Sequence, residues 1–331
     1  MELVLKSWGT YINKSGEMFE IKKDDEKTRI SPLKVSSIII SQGVSVSSDV
    51  FMMALKNNID IVMLDDYGKP VGRFWHAKMG STAKIRRAQL ELSQSEEGFE
   101  HGIRWVKGKF DNQINYLEKT LKRRSKYHTP IKETIEQLEE SKSKLDNLEG
   151  NIEELREKVL GIEGSAGRKW WSLLSKLVPN RFTFEGRSFQ PAEDEFNAML
   201  NYGYGMLYGK IEKRVVIAGL DPYIGFVHTD NYNKISFVYD VIEKYRPWID
   251  RTIMKLIGNK KVKKKTHFED MANGVYLGDE GKDLIIPAIN EFLDKRIRYN
   301  GKNQKRKDII QKDLHSFAQN ILEIKEREED G

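Results

Sequence analysis

The strongest constraint on the fold is a change in the sequence pattern near Trp75. Before this point, short β-branched or apolar segments are separated by turn residues, a pattern that is typical of strands. It predicts a hairpin over 11–21 and one helix over 50–57, with Ser48 or Asp49 as the N-cap. Further strands are predicted at 1–5, 35–41, 59–64 and 70–75.

Beyond Trp75 the apolar residues recur at three- and four-residue steps, which predicts long helices. Pro130 is expected to separate the two longest helices, predicted over 99–127 and 131–160, and Gly161 is expected to end the second of them. These two helices form either a packed hairpin or a dimer seam, and we favour the packed hairpin. Helices are predicted at 83–92, 99–127 and 131–160, and the remaining chain to about residue 320 is also expected to be helical.

Together, these patterns predict an α+β protein with two domains, which a length of 331 residues accommodates. A small β-rich N-terminal domain occupies 1–76 and is followed by a linker over 77–98. A large all-α C-terminal domain occupies 99–331.

The composition excludes several classes of protein. The chain has no cysteine, so disulfide scaffolds, cysteine-ligated zinc sites and thiol nucleophiles are excluded. Its longest apolar stretches fall far short of the roughly 20 residues that a membrane-spanning helix needs. No basic-then-apolar secretory signal opens the sequence. We therefore expect a cytoplasmic protein.

The basic residues are clustered rather than evenly spread. The net charge is only +6, but the segment 260–265 holds five lysines, and smaller basic groups lie at 122–126 and 302–307. The acidic residues concentrate elsewhere, at 133–157 and 326–330. This segregation favours a polyanionic partner such as nucleic acid. The alternative is a set of solvated loops and helix faces.

Two carboxylates stand out in a mostly apolar helical segment over 236–247. Asp240 and Glu243 are three residues apart, which places them on one face of a helix. Like charges in this arrangement repel unless a cation lies between or near them. They therefore belong either to a cation site or to a solvated pair balanced by Lys244 and Arg246.

His228 and Glu163 are the other candidate functional residues. His228 ends an apolar, glycine-rich segment over 219–228, and a histidine with two carboxylates suits a divalent metal with open coordination positions. The alternative for His228 is a hydrogen-bonded core residue. Glu163 is flanked by small residues that allow a large ligand to approach. The alternative for Glu163 is an acid in the first turn of a helix, where the macrodipole favours it.

Taken together, the motifs resemble those of the CRISPR-associated adaptation integrases, the metal-dependent nucleases that insert new spacers into CRISPR arrays. The strongest match runs over 218–228 and continues over 240–247. The resemblance covers nearly the whole chain, with further matches at 40–47, 59–65, 197–204 and the Glu163–Gly164 element with Arg168.

This resemblance implies particular roles for the candidate residues. Glu163, His228 and Glu243 match the metal ligands of the family, and Asp240 matches a neighbouring acid that is needed for activity. The metal is expected to be Mg²⁺ or Mn²⁺, which suits oxygen ligands with one imidazole.

The basic residues are assigned to DNA. Arg168, Lys169 and Arg246 are candidate phosphate clamps, with structural salt bridges as the alternative. Contacts to the DNA backbone are expected from Lys260, Lys261, Lys263, Lys264 and Lys265.

The resemblance also implies a reaction and partners. The reaction is the attack of a protospacer 3′-hydroxyl on a phosphodiester of the CRISPR repeat, which makes the helical domain the catalytic one. The expected partners are double-stranded DNA, a second copy of the chain that pairs through the β-rich domain, and a small ferredoxin-like CRISPR protein that bridges as a dimer. The alternative function is a non-catalytic DNA-binding scaffold that has kept the fold.

Overall fold

In a computed structural model, the chain divides into two compact units, Met1–Gly80 and Ser81–Gly331. Each unit has its own cluster of buried apolar side chains. The described residues are 1–6, 8–65, 70–74, 82–149, 152–189, 191–228 and 234–330.

The first unit contains two four-stranded sheets and the helix α1 (Ser48–Lys56). In chain order its strands are β1 (Glu2–Leu5), β2 (Tyr11–Ser15), β3 (Met18–Lys23), β4 (Glu26–Ile30), β5 (Ser37–Ile40), β6 (Ser45–Val46), β7 (Asp60–Leu64) and β8 (Pro70–Phe74). One sheet has the order β1-β5-β7-β8, in which only β8 runs antiparallel to its neighbour. The other sheet has the order β4-β3-β2-β6. Ile12, Phe19 and Ile38 are fully buried strand residues that form the core with Val50 of α1.

The predicted hairpin and strands of this unit are confirmed. β2 and β3 pair antiparallel, and β1, β5, β7 and β8 fall within the predicted segments. The short strand β6 and the largely exposed strand β4 lack an apolar pattern and were not predicted. The N-cap prediction is wrong, because Ser47 occupies that position and Ser48 and Asp49 lie in the first turn of α1.

The second unit is mostly helical, as predicted. Its helices are α2 (Thr82–Leu92), α3 (Glu96–Leu121), α4 (His128–Asp146), α5 (Ile152–Leu177), α6 (Glu195–Ile217), α7 (Ser236–Gly258), α8 (Lys264–His267), α9 (Asp279–Asp294) and α10 (Arg306–Asp330). Two short antiparallel ribbons add strands that the sequence pattern did not indicate: β9 (Phe268–Met271) with β10 (Gly274–Leu277), and β11 (Arg296–Tyr299) with β12 (Lys302–Lys305). Among the described residues we find no helix with the length and apolar character of a membrane span.

Helix α7 is the central element of the second unit, since it packs against both α3 and α6. Of its 23 residues, 17 are buried. The helix continues through Pro247, whose missing N–H leaves the carbonyl of Glu243 without its usual helical partner. Because α7 is enclosed on most sides, each polar side chain on it needs a partner from a neighbouring element.

The helix predicted over 131–160 belongs in fact to two helices, α4 and α5. α4 packs against both α3 and α5, which agrees with the packed hairpin. The prediction that Gly161 ends a helix is wrong, because α5 continues well past it. Burial of Val159, Ala166 and Trp170 in the same helix offsets the roughly 1 kcal/mol that a glycine costs in a helix interior relative to alanine.

The predicted linker over 77–98 contains α2, a helix that packs against α10 within the second unit. Its residue Gln89 is fully buried. The Nε2 of Gln89 donates hydrogen bonds to the carbonyls of Asp221 (3.0 Å) and Ile224 (2.9 Å), and its Oε1 accepts one from the N–H of Asp221 (2.7 Å). α2 therefore fixes the segment that leads to His228.

We expect Gln89→Ala to destabilise the protein by about 1–3 kcal/mol, because it leaves partly buried backbone groups of Asp221 and Ile224 without this hydrogen-bond partner. The control Gln94→Ala, which truncates an exposed side chain, should change the free energy of unfolding by no more than about 0.5 kcal/mol. Urea unfolding followed by circular dichroism measures both values. Equal losses in the two variants would contradict the role of Gln89.

Candidate active site

Helix α7 buries both of its predicted carboxylates. Asp240 is 1% exposed and Glu243 is 2% exposed, so the interpretation as a solvated pair is wrong. Lys244 does not balance them, because its Nζ lies 2.6 Å from an oxygen of Asp313 on α10. The two acids are instead compensated separately, each by a different set of partners.

Asp240 holds the segment that ends in His228. One carboxylate oxygen accepts hydrogen bonds from the N–H groups of Phe226 (2.6 Å) and Val227 (3.2 Å). The other oxygen accepts from the N–H of His228 (2.9 Å) and lies 2.7 Å from its Nδ1. Gly225 is required just before this segment, because a Cβ there would lie 2.5 Å from the carbonyl oxygen of His228.

Asp240 also decides which nitrogen of His228 is available. A carboxylate only accepts hydrogen bonds, so Nδ1 must carry the proton that it shares with Asp240. Among the described residues, Nε2 of His228 has no hydrogen-bond partner. Burial favours the neutral ring, but the hydrogen bond to Asp240 and the charges of Asp240, Glu243 and Glu163 outweigh it, and the pKa of His228 is raised.

Glu243 and Glu163 are joined by Lys109, a residue of α3 that is only 7% exposed. The Nζ of Lys109 lies 2.7 Å from Oε2 of Glu243 and also donates to Oε1 of Glu163. Glu163 projects from the middle of α5, so it is not an acid in the first turn of a helix. Three helices that are far apart in the sequence thus meet at one ammonium group.

Arg246 neutralises the other side of Glu243. Its NH1 lies 3.0 Å from Oε1 of Glu243, its NH2 donates to the hydroxyl of Tyr208 (2.6 Å), and its guanidinium lies over the ring of Tyr204. Burial alone would raise the pKa of Glu243, but Arg246 and Lys109 lower it to about 2. Burial alone would lower the pKa of Lys109, but Glu243 and Glu163 raise it.

Arg168 and Lys169 have a different environment from Arg246. Both are exposed on α5, close in sequence to Glu163, and neither forms a salt bridge with another described residue. Gly161 and Gly167 flank this part of the helix, and a Cβ at either position would meet open space. The space beside each of these two glycines is therefore open.

The lysines of the segment 260–265 follow α7 and are all exposed, around the buried side chain of Val262. Lys264 lies 2.7 Å from Glu195 and over the ring of Phe182. At 1.5 Å per residue, the end of α7 is roughly 22 Å from Glu243 along the helix axis. The lysines are thus separate from the carboxylates.

The chemical types of the three candidate ligands, Glu163, Glu243 and His228, fit a hard divalent cation. Two carboxylates and an imidazole nitrogen with a carboxylate behind it are ligands that Mg²⁺ or Mn²⁺ accepts. However, no group of three or more His, Asp or Glu side chains among the described residues is placed to hold a metal ion. The ammonium group of Lys109 lies between two of the three candidate ligands, Glu163 and Glu243.

Lys109 was not among the residues that sequence reasoning selected. The signal for it is a charged residue on the apolar stripe of α3, which also contains the buried residues Val106, Phe110 and Leu117. Gln89 gives the same kind of signal in α2, as a polar residue beside the buried Ala88.

The fold is shared with known protein structures. A structure titled "Casposase bound to integration product" superimposes with a TM-score of 0.83 at 23% identity, over 97% of this chain and 90% of that chain. A component of a structure titled "Cas6-RT-Cas1--Cas2 complex" superimposes with a TM-score of 0.76 at 20% identity, over 97% of this chain and 35% of that larger chain.

The sequence comparison is more specific. A family model described as "CRISPR associated protein Cas1" matches residues 3–291, and the chain therefore belongs to the Cas1 family. A relative from Archaeoglobus fulgidus, named CRISPR-associated endonuclease Cas1 1, is 32% identical over 323 residues, covering 94% of this chain and 93% of the relative. The family that the sequence motifs indicated is confirmed.

We expect the raised pKa of His228 to depend on Asp240. In metal-free protein, the charged ring stabilises the fold below the ordinary pKa of 6.5, and this contribution is lost as the pH rises through the raised folded pKa. Asp240→Asn should lower the pKa of His228 and remove that pH dependence. NMR titration of the histidine Cε1 protons with a chelator present measures the change.

His101 serves as the internal control in the same spectra, because burial and Arg104 lower its pKa to about 4. Its titration should be the same in both proteins. An unchanged pKa of His228 in Asp240→Asn would contradict the proposed coupling.

Proposed function

We propose that this protein is a divalent-metal-dependent DNA endonuclease and integrase that joins a protospacer 3′-hydroxyl to the CRISPR repeat. The observation that carries the proposal is the meeting of Glu163 and Glu243 at Lys109, with His228 held by Asp240 so that Nε2 is available. Membership of the Cas1 family and the endonuclease name of its relative support it.

Glu163, Glu243 and Nε2 of His228 would hold one Mg²⁺ or Mn²⁺ ion in this proposal. When bound, such an ion polarises a phosphoryl oxygen and stabilises charge that develops on it. Asp240 contributes by orienting His228 rather than by binding the ion, because both of its oxygens are already engaged.

The proposed reaction conserves the number of phosphodiester bonds. The incoming 3′-oxygen forms a new P–O bond, the scissile P–O bond of the repeat breaks to release a 3′-hydroxyl, and no external energy source is required. Arg168 and Lys169 are accessible for phosphate contacts. Arg246 forms a structural salt bridge with Glu243, so its guanidinium lies beside one of the proposed metal ligands.

The proposed partners are double-stranded protospacer and repeat DNA, a second copy of the chain, and a small ferredoxin-like CRISPR protein that bridges as a dimer. The structure titled "Cas6-RT-Cas1--Cas2 complex" supports an assembly of this kind. Pairing of two copies through the first unit is supported by apolar side chains on its surface, including Trp8 at 79% and Leu33 at 90% exposure.

A non-catalytic DNA-binding scaffold is the second candidate. The observation that favours it is the ammonium group of Lys109 between Glu163 and Glu243, since a permanent salt bridge there would exclude a metal ion. Divalent-dependent strand joining by the purified protein separates the two candidates.

We expect Glu163→Gln to abolish strand joining while leaving duplex binding largely intact, because its role is exerted in the transition state. Glu157→Gln, an exposed position on the same helix, is the matched control and should retain full activity. The assay uses a donor duplex with a 3′-hydroxyl beside one with a 3′-deoxy end, and a plasmid that carries the repeat.

Only the 3′-hydroxyl donor should be joined, and only with Mg²⁺ or Mn²⁺ present. Joining of the blocked donor, or a protein–DNA adduct that survives denaturation, would show that the reaction is not a direct transesterification.

We expect the exposed lysines after α7 to contribute salt-dependent, sequence-independent affinity for DNA. Lys264 already has Glu195 as a partner, so the test variant changes the other four lysines to glutamine: Lys260, Lys261, Lys263 and Lys265. Each lost phosphate contact should reduce the slope of log affinity against log salt by about 0.9, and the four together by up to about 3.6.

Fluorescence anisotropy with a short duplex at several salt concentrations measures this slope. The control makes the same charge change at four exposed lysines of the first unit: Lys23, Lys27, Lys34 and Lys56. If both variants reduce the slope equally, the effect reports net charge and not a specific surface.

A further inference from the structure

We propose that Lys109 is a built-in counter-cation that holds Glu163 and Glu243 together in the metal-free protein, and that a divalent ion binds there only by displacing its ammonium group. Lys109 therefore sets the metal affinity of the site. This inference rests on the proposed function, because it assumes that the two carboxylates are metal ligands.

The first argument is the position of Lys109. Its ammonium group contacts both carboxylates, and its side chain is 9% exposed, against 3% for Glu243 and 20% for Glu163. It reaches this position from α3, whose Val106 and Phe110 are packed in the core. Without Lys109, the buried carboxylate of Glu243 and the partly exposed carboxylate of Glu163 would face each other, with Arg246 as the nearest remaining cation.

The second argument is the balance of charge around the site. The negative groups are Glu163, Glu243 and Asp240, with Asp250 further along α7. The positive groups are Lys109 and Arg246, together with His228 when it is protonated. Lys109 and Arg246 thus supply charge that a dication would otherwise supply.

The third argument is that a dication and this ammonium group cannot share one position. Like charges at contact distance repel strongly in a buried environment. Glu243 keeps Arg246 on its other oxygen if Lys109 leaves, and Glu163 is partly open to solvent. The flexible four-carbon stem of lysine allows the ammonium group to move away without disturbing α3.

The direction in which replacing Lys109 changes the metal affinity follows from linkage. Replacing Lys109 by a neutral residue destabilises the metal-free state, because two carboxylates lose a shared partner. The same change removes a positive charge that opposes the bound ion. Both effects favour metal binding, so the affinity must rise.

The experiment is calorimetric titration of MnCl₂ into the full-length protein without DNA. Lys109→Met, which keeps an unbranched side chain of similar length, should bind Mn²⁺ at least about tenfold more tightly than the wild type, a typical size for such coupling. The control is Lys107→Met on the same helix, where the lysine pairs with Asp146 outside the site. That control should bind Mn²⁺ as the wild type does.

Thermal unfolding provides a second measurement on the same proteins. Lys109→Met should melt at a lower temperature than the wild type in a chelator and should gain more stability from Mn²⁺. If Lys109→Met does not fold, the resonance of the Lys109 Cε protons in wild-type protein, assigned by its loss in Lys109→Arg, should shift as Mg²⁺ is added. A resonance that stays fixed while Mg²⁺ binds would overturn the inference.

The outcomes distinguish this inference from the proposed function. Tighter binding by Lys109→Met supports the inference, and binding by Lys109→Met alone supports it even more directly. Equal or weaker binding by Lys109→Met, with the wild type still binding Mn²⁺, overturns the role of Lys109 and leaves the metal-dependent function standing. Absence of binding in both proteins overturns the metal site itself.

Discussion

The second unit depends on the compensation of carboxylates that α7 buries. A buried, unpaired carboxylate is strongly destabilising, so each one requires partners at hydrogen-bond distance. Asp240 receives three backbone N–H groups and the ring of His228, whereas Glu243 receives Lys109 and Arg246. The elements that supply these partners are therefore held in fixed positions around α7.

The acids of α7 connect it to most of its surroundings. Asp240 accepts hydrogen bonds from the segment before the helix. Glu243 pairs with Lys109 of α3, which also contacts Glu163 of α5. Asp250, about two turns beyond Glu243 on the same helix, accepts hydrogen bonds from Nε1 of Trp170 on α5 (3.1 Å) and from the hydroxyl of Tyr204 on α6. Burial raises the pKa of Asp250 to about 6, although both hydrogen bonds oppose it. The same helix thus supports the fold and presents the candidate ligands.

Local sequence patterns identified much of this arrangement. Six of the eight strands of the first unit, the mostly helical course of the second, and the spacing of Asp240 and Glu243 are local properties, and they were predicted correctly. The course of α5 was not predicted, because Gly161 suggests a helix end. Burial of residues such as Trp170, which depends on the neighbouring helices, decides instead that the helix continues.

The sequence by itself determined the change from a strand-rich to a helical region, most of the strands of the first unit, which acids share a helix face, and to which family the chain belongs. Only the tertiary structure decided that Lys109 lies between Glu163 and Glu243, which are 54 and 134 residues away in the sequence. It also decided that Asp240 engages both oxygens in holding the segment before α7. The physical reason is that helical periodicity fixes the face on which a side chain lies, whereas the partner of a buried charge depends on which helices pack together.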